Sequence, residues 1–182
     1  MIIKIDDILS LQFLEEVHAE ELYDLIDQNR THLREWLPWV DSMAGVESTS
    51  SYILHCKKQF EEGTDFGFCI MYEDKMAGRI GIHHINRQNR IGEIGYWLAD
   101  GLQGKGIVTN CCQTLIHFGF TELDLNRIVI KCAVGNDKSR AIAERLDFKR
   151  EGILRQAEWV NGKFLDLYQY SLLKEEWVEV SL

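Results

Sequence analysis

The stretch WLADGLQGKGIVTN (97–110) closes one apolar run and opens another. Between the two runs stand three glycines, Gly101, Gly104 and Gly106, with Gln103 and Lys105 interleaved. Glycine inside an element costs roughly 0.5–1 kcal/mol relative to alanine, so the cluster marks a place that a side chain would obstruct. The run before it, 90–99, reads as a strand, and the run after it, 107–122, has helical spacing. The first N–H groups of a helix lack intrahelical partners, and the helix N-terminus carries partial positive charge. Glycines ahead of it let those N–H groups converge on an anion, phosphate being the usual guest. A tight strand–helix connection without a ligand has the same pattern. Two familiar phosphate loops are excluded by spacing. A P-loop needs GxxxxGK[ST], but Ile107 follows Gly106, and the dinucleotide fingerprint GxGxxG meets Thr109 where its third glycine belongs.

Working outward, the 182 residues carry a net charge of −9 at neutral pH and a pI near 5.1. That balance argues against nucleic acid as a direct partner, which needs clustered Lys and Arg. It suits a cationic partner such as an amine or a basic peptide. The five cysteines (56, 69, 111, 112 and 132) show no CxxC spacing and lie mostly in apolar runs, as reduced, buried thiols do. No run approaches the ~20 apolar residues that span a bilayer, and the N-terminus does not read as a signal peptide. The expectation is a cytoplasmic protein with no membrane partner. Nothing along the chain marks a linker or repeat, so 1–182 reads as a single domain.

The periodicity predicts strands near 2–5 and 9–14, a helix over 17–29 and a short one ending near Pro38, with Thr31 as its cap. A helix over 47–62 and strands over 65–73, 76–86 and 90–99 follow. After the glycine turn come the helix 107–122, a buried strand 127–134 and a helix capped by Asn136. Strands 148–159 and 163–173, around the VNGK turn, close the chain. This is a mixed α/β (α+β) pattern and lacks the regular alternation of a doubly wound fold.

QGKGIVT (103–109) resembles the Q/R-x-x-G-x-G/A signature of the GNAT superfamily of N-acetyltransferases. Val108 stands where the superfamily prefers Gly or Ala, a departure shared by the RimJ/RimL-like ribosomal-protein N-terminal acetyltransferases. HLREWLPWV (32–40), EIGYWL (93–98), NDKSRAIAERLDF (136–148) and EGILRQAEWVNG (151–162) resemble that branch in the same order. The resemblance spans roughly residues 6–175. It implies the GNAT fold, a mostly antiparallel sheet of about seven strands splayed between the fourth and fifth core strands and flanked by helices. It implies acetyl-CoA as co-substrate, with the pyrophosphate on Gln103, Gly104, Lys105, Gly106, Ile107, Val108 and Thr109. The pantetheine arm would lie along Trp97 and Leu98, with Asn136 as a further contact. The acceptor would be an amine, foremost the N-terminal α-amine of a ribosomal protein, with a small-molecule amine or a weakly catalytic acyl-CoA-binding module as alternatives. The resemblance also suggests a homodimer.

Acetyl transfer needs a neutral amine, a donor for the developing oxyanion and a proton for the departing thiolate. An α-amine (pKa about 8) is neutral near pH 7 far more often than a lysine (about 10.4). Many relatives of this fold supply the acid from a tyrosine in N-x-x-A-x-x-x-Y; the aligned position here is Ala143. The branch implies Ser139 as acid and Glu158 as base instead. Each has a plain structural reading too: Asn136 as helix N-cap, Ser139 as a first-turn hydroxyl, Glu158 as a solvated strand residue. His83 and His84 point to opposite sheet faces, and we assign His84, with Trp36 and Trp39, to the acceptor side. A hydrogen-bonded sheet histidine is the alternative, and core packing is the alternative for a tryptophan. No residue set has metal-ligand spacing, so no metal is expected.

Overall fold

The structure, a computed structural model, describes residues 1–178. Among them an eight-stranded sheet runs in the order β1-β2-β3-β4-β5-β6-β8-β7. The strands are β1 (Ile2–Lys4), β2 (Leu9–Phe13), β3 (Phe66–Tyr72), β4 (Lys75–Asn86), β5 (Ile91–Leu98), β6 (Arg127–Ala133), β7 (Lys149–Val160) and β8 (Lys163–Leu173). The α-helices are α1 (Ala19–Gln28), α2 (Arg30–Leu33), α3 (Val46–Glu62), α4 (Ile107–Thr121) and α5 (Asp137–Arg145). The expected elements are present, with the three-residue edge strand β1 bringing the sheet to eight. Every neighbouring pair is antiparallel except β5 and β6.

That parallel junction is short. Ile91, Gly92 and Glu93 pair with Arg127, Ile128 and Val129, and there the ladder stops. Beyond it β5 stays with β4 as far as Leu98, and β6 stays with β8 as far as Ala133. The two strands therefore part and leave a wedge at their C-terminal ends. The expected splay sits here.

Two apolar clusters cover the two sheet faces. On one face α4 packs through Cys111, Cys112, Leu115 and Phe120 against Phe68, Ile80, Ile82 and Ile94. On the other, Leu22 and Ile26 of α1 and Ile53 and Cys56 of α3 meet Cys69 and Met76. Alternation along the strands assigns the residues: Ile94, Tyr96 and Leu98 belong to the first cluster, while Trp97 packs on the second. All five cysteines are buried and free.

The segment before Pro38 differs from its expectation. Helix α2 is only four residues long, Thr31 lies inside it, and Trp36 and Leu37 fold back in turns onto the Leu33 carbonyl. Proline cannot extend a helix and pushes its predecessor out of helical geometry, so the aromatic segment is left as irregular chain.

Candidate active site

The wedge between β5 and β6, the glycine turn and the N-termini of α4 and α5 enclose a cavity of about 900 Å³. Its walls include most of the predicted residues. Trp97 and Leu98 come from β5, Gln103, Gly104 and Gly106 from the turn, and Ile107, Val108 and Thr109 from α4. Asn136 and Ser139 close it from α5, and Trp36 from the segment before Pro38. Lys105 stands outside this wall and leans over the Tyr72 ring, 5.4 Å from its centroid.

The turn behaves as its glycines suggested. Gly104 and Gly106 have φ of +78° and +79°, where L side chains are strained, and a Cβ on either would meet nothing within 4 Å. Gly101 has no such constraint. What Gly104 and Gly106 keep clear is open space in front of the helix. The N–H groups of Gly104 through Thr109 find no acceptor among the described residues; the first bond of α4 runs from Asn110 N–H to the Gly106 carbonyl. Cations gather at the rim of an otherwise acidic molecule. Lys138 donates to Gln103 Oε1, Gln103 Nε2 lies 2.7 Å from His32 Nε2, and Arg145 donates to Thr109 Oγ1 at 3.1 Å. A free ring of N–H groups with cations around it fits a pyrophosphate. Nothing in the spacing of the sequence had pointed to Lys138 and Arg145, at the two ends of α5, or to His32 of α2.

Deeper in the wedge, α5 is capped by Asn136, whose Oδ1 accepts from Ser139 N–H at 3.1 Å. The cap fixes the first turn and sets the Ser139 hydroxyl 2.9 Å from the Tyr96 hydroxyl, across the gap from β5. Burial pushes the Tyr96 phenol well above its ordinary pKa, so it remains protonated. Cys132 of β6 also lies against Ser139, and burial holds its thiol at about 11. Tyr96 is the residue that sequence reading missed; the alternation of Ile94, Tyr96 and Leu98 was the available signal. Ala143 is wholly buried in the core.

The backbone of β5 adds a donor. A Cβ on Gly78 of β4 would collide with the Trp97 carbonyl oxygen, so that carbonyl is turned toward β4. In a trans peptide the N–H on the other side points the opposite way. The Leu98 N–H is thus directed into the wedge.

The opposite face of the sheet has a bare floor. Gly67, Gly81 and Gly95 are in register across β3, β4 and β5. His83 leans over this floor, its Cε1 being 2.7 Å from where a Gly81 Cβ would stand, and its Nδ1 is 2.6 Å from Asp65 Oδ2. Lys131 and Glu93 form an ion pair at 2.6 Å. Glu158, on the bulged part of β7, is half-buried and feels both charges. Burial first, then the Glu93 carboxylate, raise its pKa, and Lys131 opposes them. Trp39 packs against Trp97 with ring centroids 6.1 Å apart. His84, assigned to the acceptor side from the sequence, lies beyond this floor. The ladder shifts register after His83, His84 takes a φ of +53°, and its side chain is exposed. His83 is the histidine that faces the floor. A bulge breaks the period-two rule and is not visible in the sequence.

The sequence pattern of the acetyltransferase (GNAT) domain family matches residues 9–149. The chain belongs to the GNAT acetyltransferases. It is 39% identical over 175 residues to the putative ribosomal N-acetyltransferase YdaF of Bacillus subtilis (strain 168), covering 96% of each chain. It is 36% identical to the ribosomal-protein-serine acetyltransferase of Escherichia coli (strain K12), covering 93% of this chain and 94% of the relative. The solved structure of RimL, a ribosomal L7/L12 alpha-N-protein acetyltransferase, in complex with coenzyme A superimposes with a TM-score of 0.93 at 31% identity, covering 97% of this chain and 99% of that one. This acetyltransferase is of the ribosomal-protein acetyltransferase type and uses acetyl-CoA as its co-substrate.

Proposed function

We propose that the protein, as one domain, acetylates the N-terminal α-amine of a ribosomal protein. The observation that carries this reading is the wedge itself, which has N–H groups at its mouth, a hydroxyl pair at its depth and a carboxyl-bearing face on the other side. That face suits an amine: it carries the Glu93 and Glu158 carboxyls, coupled to one another, and Asp65 behind His83, and an α-amine gives up its proton near pH 7 more readily than lysine. The names of the relatives favour the same acceptor.

In the proposed reaction Glu158 takes the proton from the α-ammonium, directly or through water, and its raised pKa makes it the better base. The amine nitrogen bonds to the acetyl carbonyl carbon while the C–S bond breaks. The Leu98 N–H faces the developing oxyanion. Ser139 donates its proton to the departing sulfur and recovers one through the Tyr96 hydroxyl, 2.9 Å away, from the proton that the nitrogen sheds as the amide forms, so Tyr96 ends protonated. The coenzyme would be held by Gln103, Gly104, Gly106, Ile107, Val108 and Thr109, with Lys138 and Arg145 beside them and Asn136 fixing Ser139. Lys105 is the outermost member of that set. Trp36 and Trp39 would wall the acceptor's entry, where His83 takes the place first given to His84.

Incubation with acetyl-CoA and either dissociated ribosomal proteins or a panel of small amines, followed by mass spectrometry, tests the acceptor. We expect acetylation at the N-terminus of one ribosomal protein. Modification confined to small amines would overturn the reading.

A further inference from the structure

A second, smaller cavity of about 180 Å³ lies on the carboxyl-bearing face of the sheet and shares Trp97 as a wall with the main one. Its lining is apolar except for Tyr52 and Arg79. Arg79 belongs to β4 and is only 6% exposed. Its guanidinium donates to the Tyr52 hydroxyl and lies 4.9 Å from the centre of that ring. No carboxylate comes within ion-pair distance among the described residues, and its buried Nε has no partner. A buried cation without a counter-charge is costly, and a cation–π contact offsets only part of that cost. The structure also makes room for it: a Cβ on Gly67 would collide with Arg79 Nη2. Burial lowers the Arg79 pKa to about 10, so it is still a cation near neutral pH.

We propose that Arg79 and Tyr52 form the receptor for a carboxylate carried by the acceptor, one or two residues beyond the amine that is acetylated. The proposal rests on the amine-acetylation reading above. Arg79 pairs in register with Trp97 on the neighbouring strand, beside the peptide whose N–H faces the wedge. Adjacent strands lie about 4.8 Å apart, and an extended chain advances about 3.3–3.6 Å per residue. The guanidinium itself reaches over Gly67 of β3, one strand further on, so a carboxylate seated on it needs a long acidic side chain on the residue after the reacting one or on the next. The face becomes charge-matched along its length, with carboxylates where the amine enters and a guanidinium where the carboxylate ends. An acidic side chain at the second or third position of a peptide offers that chemistry, whereas a free amino acid carries its carboxylates on the reacting residue itself.

Titration calorimetry on the full-length protein loaded with coenzyme A separates these outcomes without relying on turnover. The probes are hexapeptides beginning Ser-Glu, Ser-Gln and Ser-Lys, together with free glutamate and lysine methyl ester. We expect Ser-Glu to bind at least about tenfold more tightly than Ser-Gln. Arg79→Met should bring that ratio to about one, and Tyr52→Phe should reduce it by roughly threefold or more. Coenzyme affinity and the thermal midpoint report whether each variant is folded. If Arg79→Met fails to fold, the wild-type ratio and Tyr52→Phe still decide. Equal binding of Ser-Glu and Ser-Gln would overturn it, as would binding of free glutamate more tightly than the Ser-Glu peptide. Acetyl transfer to peptides without that discrimination leaves the acceptor reading standing and removes the receptor. Discrimination in binding without transfer does the reverse.

Discussion

At the scale of single residues, Glu158 carries the sharpest consequence. Its folded pKa is raised, by burial and by Glu93, so its basic form is gained at higher pH than that of an ordinary glutamate. Turnover should therefore climb with pH through that raised pKa and level off above it. Glu158→Gln should cost about 10²-fold in kcat and abolish this acidic limb while leaving coenzyme affinity unchanged; steady-state profiles from pH 4 to 8 measure both. A variant with wild-type turnover would take Glu158 out of the chemistry. Single residues also show where sequence reading stops. Asn136 was legible as a cap because capping is local: its side chain reaches a backbone N–H three positions on. Tyr96 and Ser139 are 43 positions apart and meet only because β5 and α5 face each other across the wedge. Glu158 as a charge-coupled group, and Arg79 as an unpaired one, are likewise products of long-range packing.

At the scale of elements, the glycine turn makes the strongest prediction. Gly106 is the N-cap of α4 and has φ of +79°. An alanine there costs about 1–2 kcal/mol of backbone strain, and relief of that strain would turn N–H groups away from their common focus. Gly106→Ala should raise the coenzyme dissociation constant by at least about tenfold, measured by calorimetry. Gly101→Ala, with neither a positive φ nor a close neighbour, should change it little. Element types were largely legible because α4 is apolar and long and because β3 to β5 are rich in β-branched and aromatic residues. The type I′ hairpin at Asn161-Gly162, both with positive φ, was legible from turn chemistry alone. Helix α2 was overextended, since its short span reflects the fold-back of Trp36 and Leu37 onto Leu33. The bulge after His83, which decides where each histidine of the pair points, was not legible.

For the whole molecule, the three strands beyond the wedge are tied together by a surface ion pair. Arg127 of β6 reaches Glu151 of β7 across β8, with Gln169 donating to the same carboxylate at 3.0 Å. The Arg127 guanidinium, ahead of the smaller hydrogen-bond contributions, holds the Glu151 carboxyl down at about 2. A depressed carboxylate pKa contributes stability that is present above the unfolded value, about 4.3, and is lost as pH falls through about 2. Glu151→Gln should flatten the thermal midpoint across that acidic window, with an effect below about 1 kcal/mol because the pair is solvent-screened. The parted strands have a wider consequence. Residues 94–98 and 130–133 present two raw sheet edges to each other inside the protein, out of reach of the neighbouring chains that such edges normally recruit. The molecule is in effect two leaves of sheet joined by a three-residue seam, and an extended arm laid between them supplies the missing rung. Filling the site should then slow amide hydrogen exchange along both edges at once, in strands that belong to different leaves.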